Sequence, residues 1–353
     1  MAAWLPGLTA DLTSGPAPLL AAWLHTIDPY FVQLWEGGPI RWYGVSYLVG
    51  FFIGFMLIRR VCTAGISSLP AKRAADLVIA VALGAMVGGR LGYAAFYRPE
   101  LFTMVTDSLP WWGVLDMLHG GMSSHGGMIG AVACGSWFAW RNRQHPLFTI
   151  DLLALGAPLG LACGRIANFI NGELLGRRCA ADFPLAVQFP QELYERPELI
   201  ARFEAALGAA APIDVLERIQ AGSTTLAAAT AEVLPTRHPS QLYAAALEGL
   251  AVALVLLVVW AKPKRAGTVA GAFGLAYAAA RIGGEYFRLP DAYLPEQWLG
   301  LSRGQWLSLP LAAVGLGLVV FAQWRKTAVV GGWREAKPSA QTSSDAAPTP
   351  TDP

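Results

Sequence analysis

The chain of 353 residues is 54% hydrophobic and only 14% charged, with a formal net charge of +2. This balance argues against a string of soluble domains, and the small net charge gives no reason to expect a nucleic-acid partner. The 13 tryptophans and 38 glycines suit helices in lipid, where tryptophan lies at the interfaces and glycine permits close helix packing.

Seven apolar stretches, each of about 20 residues, approach the length of a membrane-spanning helix. They lie near residues 42–58, 76–97, 123–140, 150–170, 240–261, 267–287 and 306–324. An earlier run at 17–35 is interrupted by His25, Asp28 and Pro29, which favours a segment along the membrane interface. The sequence therefore predicts an all-α integral membrane protein with seven transmembrane helices.

Basic residues predict the orientation of these helices. All lysines, and arginines such as Arg59, Arg141 and Arg325, fall in alternate connections, counting the segment after the last apolar stretch as one of them. Because loops rich in lysine and arginine face the cytoplasm, the amino terminus is expected outside and the carboxyl terminus inside.

This orientation divides the chain into five predicted segments. They are an extracytoplasmic or interfacial amino-terminal segment (1–41), transmembrane helices one to four (42–170), a small extracytoplasmic loop domain (171–239), transmembrane helices five to seven (240–326) and a cytoplasmic tail (327–353). The tail beyond Ala336 has no apolar residue larger than alanine, which predicts disorder at its end.

Polar side chains gather at the outer ends of the predicted helices. Because an ionisable group inside a membrane is costly, each such residue is a candidate for function. The candidates are Tyr43, Arg90, His125, Arg165, Asn168, Asn171, Glu173, His238, Gln241, Tyr243, Tyr277, Arg281 and Glu285. Asp151 lies at the opposite, inner end of its helix, where it is expected to cap that helix or to bind a neighbouring one.

Three of the candidates are arginines, and they predict an anionic ligand. The planar guanidinium groups of Arg90, Arg165 and Arg281 are suited to phosphate, and at this depth in a bilayer the obvious phosphate belongs to a phospholipid headgroup. Neighbouring glycines, including Gly88 and Gly126, would let a ligand approach the backbone.

Single residues also have simpler explanations. Snorkelling to the interface would account for Arg165, and a structural ion pair would account for Arg281 and Glu285, which share one helix face. Tight helix packing would account for the glycines. Convergence of so many polar groups favours a site over these separate explanations, although it does not name a reaction.

Several short motifs carry a resemblance to a known family. The stretch GRIANFINGELLGRR (164–178) is accompanied by the segments WYGVSYLVGF (42–51), GGRLGYAAFY (88–97), GGMSSHGGMIG (120–130), RHPSQLY (237–243) and RIGGEYFRLPD (281–291). In order and content they resemble the prolipoprotein diacylglyceryl transferases of bacterial inner membranes. The sequence departs from the family pattern at Ser124, Ala167, Leu175 and Ala244.

The resemblance implies a reaction between two membrane-associated substrates. The diacylglyceryl group of phosphatidylglycerol is transferred to the lipobox cysteine thiol of a lipoprotein precursor, which gives a thioether and glycerol 1-phosphate. The implied location is the inner membrane, as a multi-pass protein whose active site faces the periplasmic leaflet. Neither a metal nor another cofactor is implied.

The same resemblance assigns roles to residues. The catalytic residues would be Tyr43, His125, Arg165 and Arg281, with His125 as the candidate to accept the thiol proton. Phosphatidylglycerol would be bound by Arg90, Arg165, Asn168, Glu173, Gly176, Tyr277, Arg281 and Glu285.

Two other classes of protein remain open at this point. An anion or lipid transporter would also bury arginines, but it predicts internal symmetry and a polar path to the inner side. A structural membrane scaffold would use the charges only to hold helices together. Because the polar residues stop in the outer half of the predicted spans, the sequence favours an enzyme.

Overall fold

The computed structural model describes residues 22–32, 40–107, 109–116, 121–212, 214–290 and 298–333. The predicted disordered end of the tail and most of the predicted amino-terminal segment lie outside these ranges. The chain forms two compact units, each assembled from separate parts of the sequence. The larger unit comprises Tyr43–Ala167, Ala244–Tyr286 and Ala292–Pro353, and the smaller comprises Met1–Trp42, Asn168–Tyr243 and Phe287–Asp291.

Helices dominate the described part of the chain. In order they are α1 (Trp42–Thr63), α2 (Ala74–Phe96), α3 (Ser124–Arg141), α4 (Pro146–Asn171), α5 (Glu192–Glu195), α6 (Pro197–Leu207), α7 (Val215–Gln220), α8 (Thr224–Val233), α9 (Ser240–Ala244), α10 (Val252–Trp260), α11 (Thr268–Gly284) and α12 (Arg303–Trp324). A π-helical stretch, Ala245–Ala251, joins α9 to α10. The short strands are β1 (Trp23–Leu24), β2 (Tyr30–Val32), β3 (Ile40–Arg41), β4 (Val187–Gln188), β5 (Lys264–Arg265) and β6 (Val329–Val330).

Long helices form at all seven positions predicted from the apolar stretches. Within the described ranges, five are long and apolar enough to cross a membrane: Trp42–Thr63, Ala71–Phe96, Pro146–Asn171, Ser240–Trp260 and Arg303–Trp324. The other two, α3 and α11, have 18 and 17 residues. An all-α membrane class is therefore supported, whereas seven crossings and the orientation of the amino terminus stay predictions.

The core of the larger unit packs residues of several long helices against one another. Val61 of α1, Leu77 of α2, Leu256 and Trp260 of α10, and Val269 of α11 are almost completely buried in it. Many other apolar side chains of these helices point outward and are exposed, as expected for surfaces that face lipid.

Glycine allows two helix pairs of the larger unit to touch backbone to backbone. A Cβ on Gly88 of α2 would collide with the carbonyl oxygen of Gly126 in α3, and the reverse substitution would collide with Gly88. Gly271 of α11 and Gly315 of α12 meet in the same way. The expectation that Gly88 and Gly126 open the backbone to a ligand is therefore wrong; they pack α2 against α3, as small residues do between membrane helices.

Asp151 fixes the start of α11 from within α4. Its carboxylate is buried and accepts hydrogen bonds from the backbone N–H groups of Gly267 and Ala270, each at 2.7 Å. The first backbone N–H groups of a helix have no hydrogen-bond acceptor within the helix, so the Asp151 carboxylate supplies one. A negative charge at the start of a helix is also favoured by the helix dipole. The expectation that Asp151 binds a neighbouring helix is confirmed.

The smaller unit has its own core and a buried ion pair. Helices α5 to α8 pack around the fully buried Phe203, and β1 pairs in parallel with β4. The guanidinium of Arg237 binds the carboxylate of Glu192 and also donates to the carbonyl oxygen of Gly176 at 2.8 Å. Glu192 also pairs with Arg196 at 3.0 Å, so the buried carboxylate is compensated by two cations, whereas Arg237 relies on Glu192 for its ionic partner.

The buried side chain of His25 is expected to make the folded state of the smaller unit less stable at acidic pH. Its ring is fully buried against Trp23, Phe169 and Phe189, and this burial lowers its pKa below the ordinary value of about 6.5. A lowered pKa in the folded state means that the unfolded chain binds the proton more readily. The neutral ring therefore contributes its full stability above about pH 6.5 and loses it as the pH falls below that value.

We expect His25→Phe to remove part of the acid sensitivity of unfolding. Below the unfolded pKa, the wild-type protein loses at most about 1.4 kcal/mol per pH unit through this group, whereas phenylalanine does not titrate. Thermal unfolding of both proteins in detergent, measured from pH 8 to pH 5, checks this. Parallel pH profiles for the two proteins would contradict the assignment.

Candidate active site

Arg165 lies in α4 and is held by a carboxylate from another helix. Its Nε and Nη2 atoms both donate to Oε2 of Glu248, at 3.1 and 2.8 Å, so one carboxylate oxygen receives two charge-assisted hydrogen bonds. The Glu248 side chain is fully buried, and that of Arg165 is 18% exposed. Arg165 therefore has a specific buried partner, which argues against simple snorkelling.

The same carboxylate also binds α11. Arg281 Nη1 donates to Oε1 of Glu248 at 3.0 Å, and the Tyr277 hydroxyl donates to Oε2 at 3.3 Å. Arg281 Nη2 pairs with Glu285, one turn further along the chain. The predicted shared face of Tyr277, Arg281 and Glu285 is thus observed, and it points toward Arg165 through Glu248. We call these residues the arginine cluster: Arg165, Glu248, Tyr277, Arg281 and Glu285.

The start of α12 supports the cluster from a fourth helical segment. The hydroxyl of Ser302, the N-cap of α12, donates to Oε2 of Glu285 at 2.7 Å. At Gly304 a Cβ would lie 2.5 Å from Oε1 of Glu285 and 2.9 Å from Nη2 of Arg281. The backbone of α12 therefore lies directly against the Glu285–Arg281 pair, and glycine leaves room for it.

The arginine cluster can bind and stabilise negative charge. Two guanidinium groups, each with five N–H donors, lie on either side of one carboxylate, and this carboxylate uses only some of those donors. In a site with little water, donors that are already in place act strongly on charge that develops during a reaction. The cluster is therefore chemically suited to a phosphate or to another oxyanion.

Asn168 and Glu173 come together in the smaller unit. The amide of Asn168 donates to Oε1 of Glu173 at 3.0 Å, and Asn171 approaches the same oxygen at 3.4 Å. Gln241 donates to the backbone oxygen of Glu173 at 2.6 Å. Helix α4 ends here because Gly172 has a φ of +68°, the left-handed conformation that commonly terminates helices.

Gly176 is required by packing within the smaller unit. A Cβ at this position would collide with the carbonyl oxygen of His238, and the oxygen of Gly176 is bound by Arg237. Gly176 also pairs with Arg288 in an antiparallel β-bridge, which adds a further constraint. This close approach explains a glycine without requiring a ligand, so the predicted binding role of Gly176 stays a prediction.

Arg90 is committed to backbone carbonyls. From α2 its guanidinium donates to the carbonyl oxygens of Val114 at 2.6 Å, Gly113 at 2.8 Å, Asp116 at 2.7 Å and Gly121 at 3.0 Å. These contacts fix the connection that leads into α3. The geometry favours a role for Arg90 in holding this connection over the predicted role in binding a ligand directly.

His125 and Tyr43 open two helices of the larger unit. His125 lies half-buried in the first turn of α3, which is capped by Ser123 through a 3.3 Å bond to the N–H of Gly126. Tyr43 is the second residue of α1, and its ring lies 5.3 Å from that of Tyr47. Among the described residues no hydrogen bond joins His125 to the arginine cluster, so its catalytic role stays a prediction.

Comparison with known proteins decides the family. The family model for prolipoprotein diacylglyceryl transferase matches residues 29–321. The chain belongs to this family. A phosphatidylglycerol–prolipoprotein diacylglyceryl transferase of Bdellovibrio bacteriovorus is 39% identical over 341 residues, covering 88% of this chain and 97% of the relative. Proteins of the same name from Burkholderia cenocepacia and Burkholderia thailandensis are 37% and 38% identical, covering 85% and 84% of this chain and 96% and 95% of the relatives.

Glu248 belongs to the arginine cluster of this transferase, but it is not among the site residues predicted from the sequence. Between Ser240 and Trp260 it is the sole charged residue, within the run LYAAALEGLAVALVLLVVW. The rule that an intramembrane charge needs a partner could have identified it and paired it with Arg165 or Arg281. Glu248 lies within an apolar run, away from the outer helix ends where the other polar candidates gather.

Metal ligation finds no support in the part of the transferase chain that the structure describes. No group of three or more histidine, cysteine, aspartate or glutamate side chains there is arranged to hold a metal ion. That the reaction uses no metal or other cofactor stays a prediction.

Proposed function

We propose that this chain transfers the diacylglyceryl group of phosphatidylglycerol to the cysteine thiol of prolipoproteins, the first step of lipoprotein maturation. Membership of the diacylglyceryl transferase family over residues 29–321 carries this proposal. The relatives, at 37–39% identity over most of their length, are named for the same donor and acceptor. The arginine cluster supplies the chemistry that an anionic lipid donor needs.

The proposed reaction is a displacement at carbon. The cysteine sulfur attacks the glyceryl carbon that carries the phosphate, a C–S bond forms, and the C–O bond to the phosphate breaks. The bonding electron pair leaves with the phosphate oxygen, which gives glycerol 1-phosphate. The thiol proton passes to a base, and the lipoprotein keeps the diacylglyceryl group as a thioether.

Arg165 and Arg281 act on the leaving group in this scheme. Negative charge grows on the phosphate ester as the C–O bond breaks, and two guanidinium groups already in place stabilise it without reorganisation. Tyr277, in the same cluster, lines the site in this scheme, and Glu285 orients the guanidinium group of Arg281. The contacts that support this assignment are those from Arg165 and Arg281 to the single carboxylate of Glu248.

The remaining predicted residues have roles of orientation and proton transfer. His125 accepts the thiol proton, and Tyr43 lines the site. Asn168 and Glu173, which hydrogen-bond to each other, orient the lipid headgroup. Gly176 allows the close backbone packing beside them, and Arg90 holds the connection that precedes His125.

The proposed location is the bacterial inner membrane, with the active site in the periplasmic leaflet. Lysines in alternate connections support an amino terminus outside. The extracytoplasmic domain is then the segment 171–239, and α3 and α11 complete seven crossings.

An assay with purified components tests the proposal. The protein in vesicles of phosphatidylglycerol is expected to release glycerol 1-phosphate and to add one diacylglyceryl mass to a lipobox peptide. A peptide with serine in place of the cysteine is the matched control, and it should give neither product. A folded protein that releases no glycerol phosphate would overturn the function, and would reopen the transporter and scaffold classes.

His125→Gln tests the proposed base in the same assay. Removing a general base typically costs 10²–10⁴-fold in rate, so we expect kcat to fall by at least about 100-fold while the protein stays folded. Because a base acts on the thiol rather than on the lipid, the KM for phosphatidylglycerol should change little. A wild-type kcat would remove His125 from the mechanism.

A further inference from the structure

Glu248 occupies an unusual place in its helix. It is fully buried within the π-helical stretch Ala245–Ala251, between α9 and α10. Long π-helical segments are rare, and shorter π-bulges occur often at functional sites. Burial of a carboxylate is costly unless its charge is compensated, so both the backbone and the side chain at this position need an explanation.

The explanation lies in the two oxygens of the carboxylate. Oε2 accepts from Nε and Nη2 of Arg165 at 3.1 and 2.8 Å, and Oε1 accepts from Nη1 of Arg281 at 3.0 Å. One side chain therefore sets the distance between two guanidinium groups that come from different helices. Tyr277 is the third residue bound to this carboxylate, with its hydroxyl 3.3 Å from Oε2.

Without a lipid, the formal charges of the arginine cluster sum to zero. Arg165 and Arg281 contribute two positive charges, and Glu248 and Glu285 contribute two negative ones. Without Glu248, the two guanidinium groups would lose the carboxylate that both of them bind. Their repulsion would separate them, since like charges inside a protein are weakly screened.

We propose that Glu248 is a positioning residue of the transfer reaction: it holds Arg165 and Arg281 at the separation that suits the departing phosphate. This inference rests on the proposed function of the two arginines. Glu248 does not touch the lipid in this scheme, and it acts through the groups that do. Its removal should therefore change the rate of the chemical step more than the binding of the lipid.

Glu248→Gln is the informative substitution. The amide nearly matches the shape of the carboxylate, but it offers one acceptor oxygen, and its NH₂ group would face the other arginine. The cluster also gains one positive charge, which favours an anionic lipid in the ground state. We expect kcat to fall about 100-fold, the scale for losing one well-placed donor, with a KM for phosphatidylglycerol no higher than that of the wild type.

Asp151→Asn is the matched control, because it neutralises another buried carboxylate of the same unit. Asp151 caps the start of α11 and takes no part in the arginine cluster. We expect a lower unfolding temperature with kcat and KM unchanged per folded molecule. A purely structural Glu248 would behave in the same way as this control.

The outcomes separate the inference from the function on which it rests. A wild-type kcat for Glu248→Gln, or a loss that appears only as a raised KM, overturns the positioning role. If Glu248→Gln does not fold, Glu248→Asp is tested in its place. The shorter side chain keeps the negative charge but cannot reach both arginines, so kcat should fall while the KM for phosphatidylglycerol stays unchanged. A wild-type kcat for Glu248→Asp would overturn the positioning role. If Arg165→Lys also has wild-type activity, the proposed arginine site itself fails.

Discussion

Replacing Arg165 with lysine is expected to lower kcat by about 10²–10³-fold, the typical loss for one preorganised donor to a developing oxyanion. Lysine keeps the positive charge but not the planar fork. It cannot reproduce the Nε and Nη2 contacts to Glu248 at 3.1 and 2.8 Å and still present further N–H donors to the phosphate. Arg281→Lys should behave similarly, because Arg281 also holds two carboxylates.

Lysine is preferred to alanine in this experiment for an energetic reason. Removing one partner of a buried ion pair commonly destabilises a protein by about 3–5 kcal/mol, which would mix loss of folding with loss of chemistry. Arg265→Lys provides the control, since Arg265 also lies in the larger unit but donates to the backbone oxygen of Thr327. Kinetics with phosphatidylglycerol and a lipobox peptide decide the matter: equal kcat for Arg165→Lys and Arg265→Lys would exclude a special role for Arg165.

The helices of this protein could be predicted from sequence because lipid imposes a simple rule. A span needs about 20 apolar residues whose backbone bonds close within the helix, and helices form at all seven predicted positions. The pairing of Arg281 with Glu285 followed equally simply, since residues four apart share a helix face. Both inferences depended on local spacing alone.

Contacts between distant residues were harder to predict. Glu248 lies 83 residues from Arg165 and is turned toward it from a π-helical stretch, which no hydrophobic pattern signals. The sequence predicts that Arg90 binds an anion, because Arg90 lies near the other arginines in the predicted topology. In the structure its N–H groups donate to backbone carbonyls in the connection between α2 and α3. Every residue has a backbone carbonyl, so the sequence does not show which of them an arginine will bind.

Glycines also show the difference between features that the local sequence predicts and contacts that depend on distant residues. The sequence showed that small residues flank the polar ones, but it could not distinguish a gap for a ligand from a gap for a helix. The structure resolves this at Gly88, where α3 occupies the space. At Gly304 it reveals a glycine that the motifs did not include.

Gly304→Ala is expected to lower kcat by about 100-fold, the cost of displacing catalytic groups by roughly 1 Å. The added methyl would lie 2.5 Å from Oε1 of Glu285 and 2.9 Å from Nη2 of Arg281. Ends of flexible side chains usually move aside at little cost, but here Ser302 holds Glu285 at 2.7 Å and Glu248 holds Arg281 at 3.0 Å. Relief of the clash must therefore shift the guanidinium group itself.

Stability distinguishes this effect from unfolding. Replacing glycine with alanine restricts the unfolded chain, which stabilises the folded state by about 0.4–1 kcal/mol where the backbone conformation suits alanine. This gain offsets part of the clash, so the unfolding temperature of Gly304→Ala should fall little while kcat falls greatly. Gly317→Ala is the matched control in the same helix, because a Cβ there meets nothing within 4 Å, and it should keep the wild-type kcat. If Gly304→Ala also keeps the wild-type kcat, the position of Arg281 does not limit the reaction, since the substitution changes no polar group and must act through placement alone.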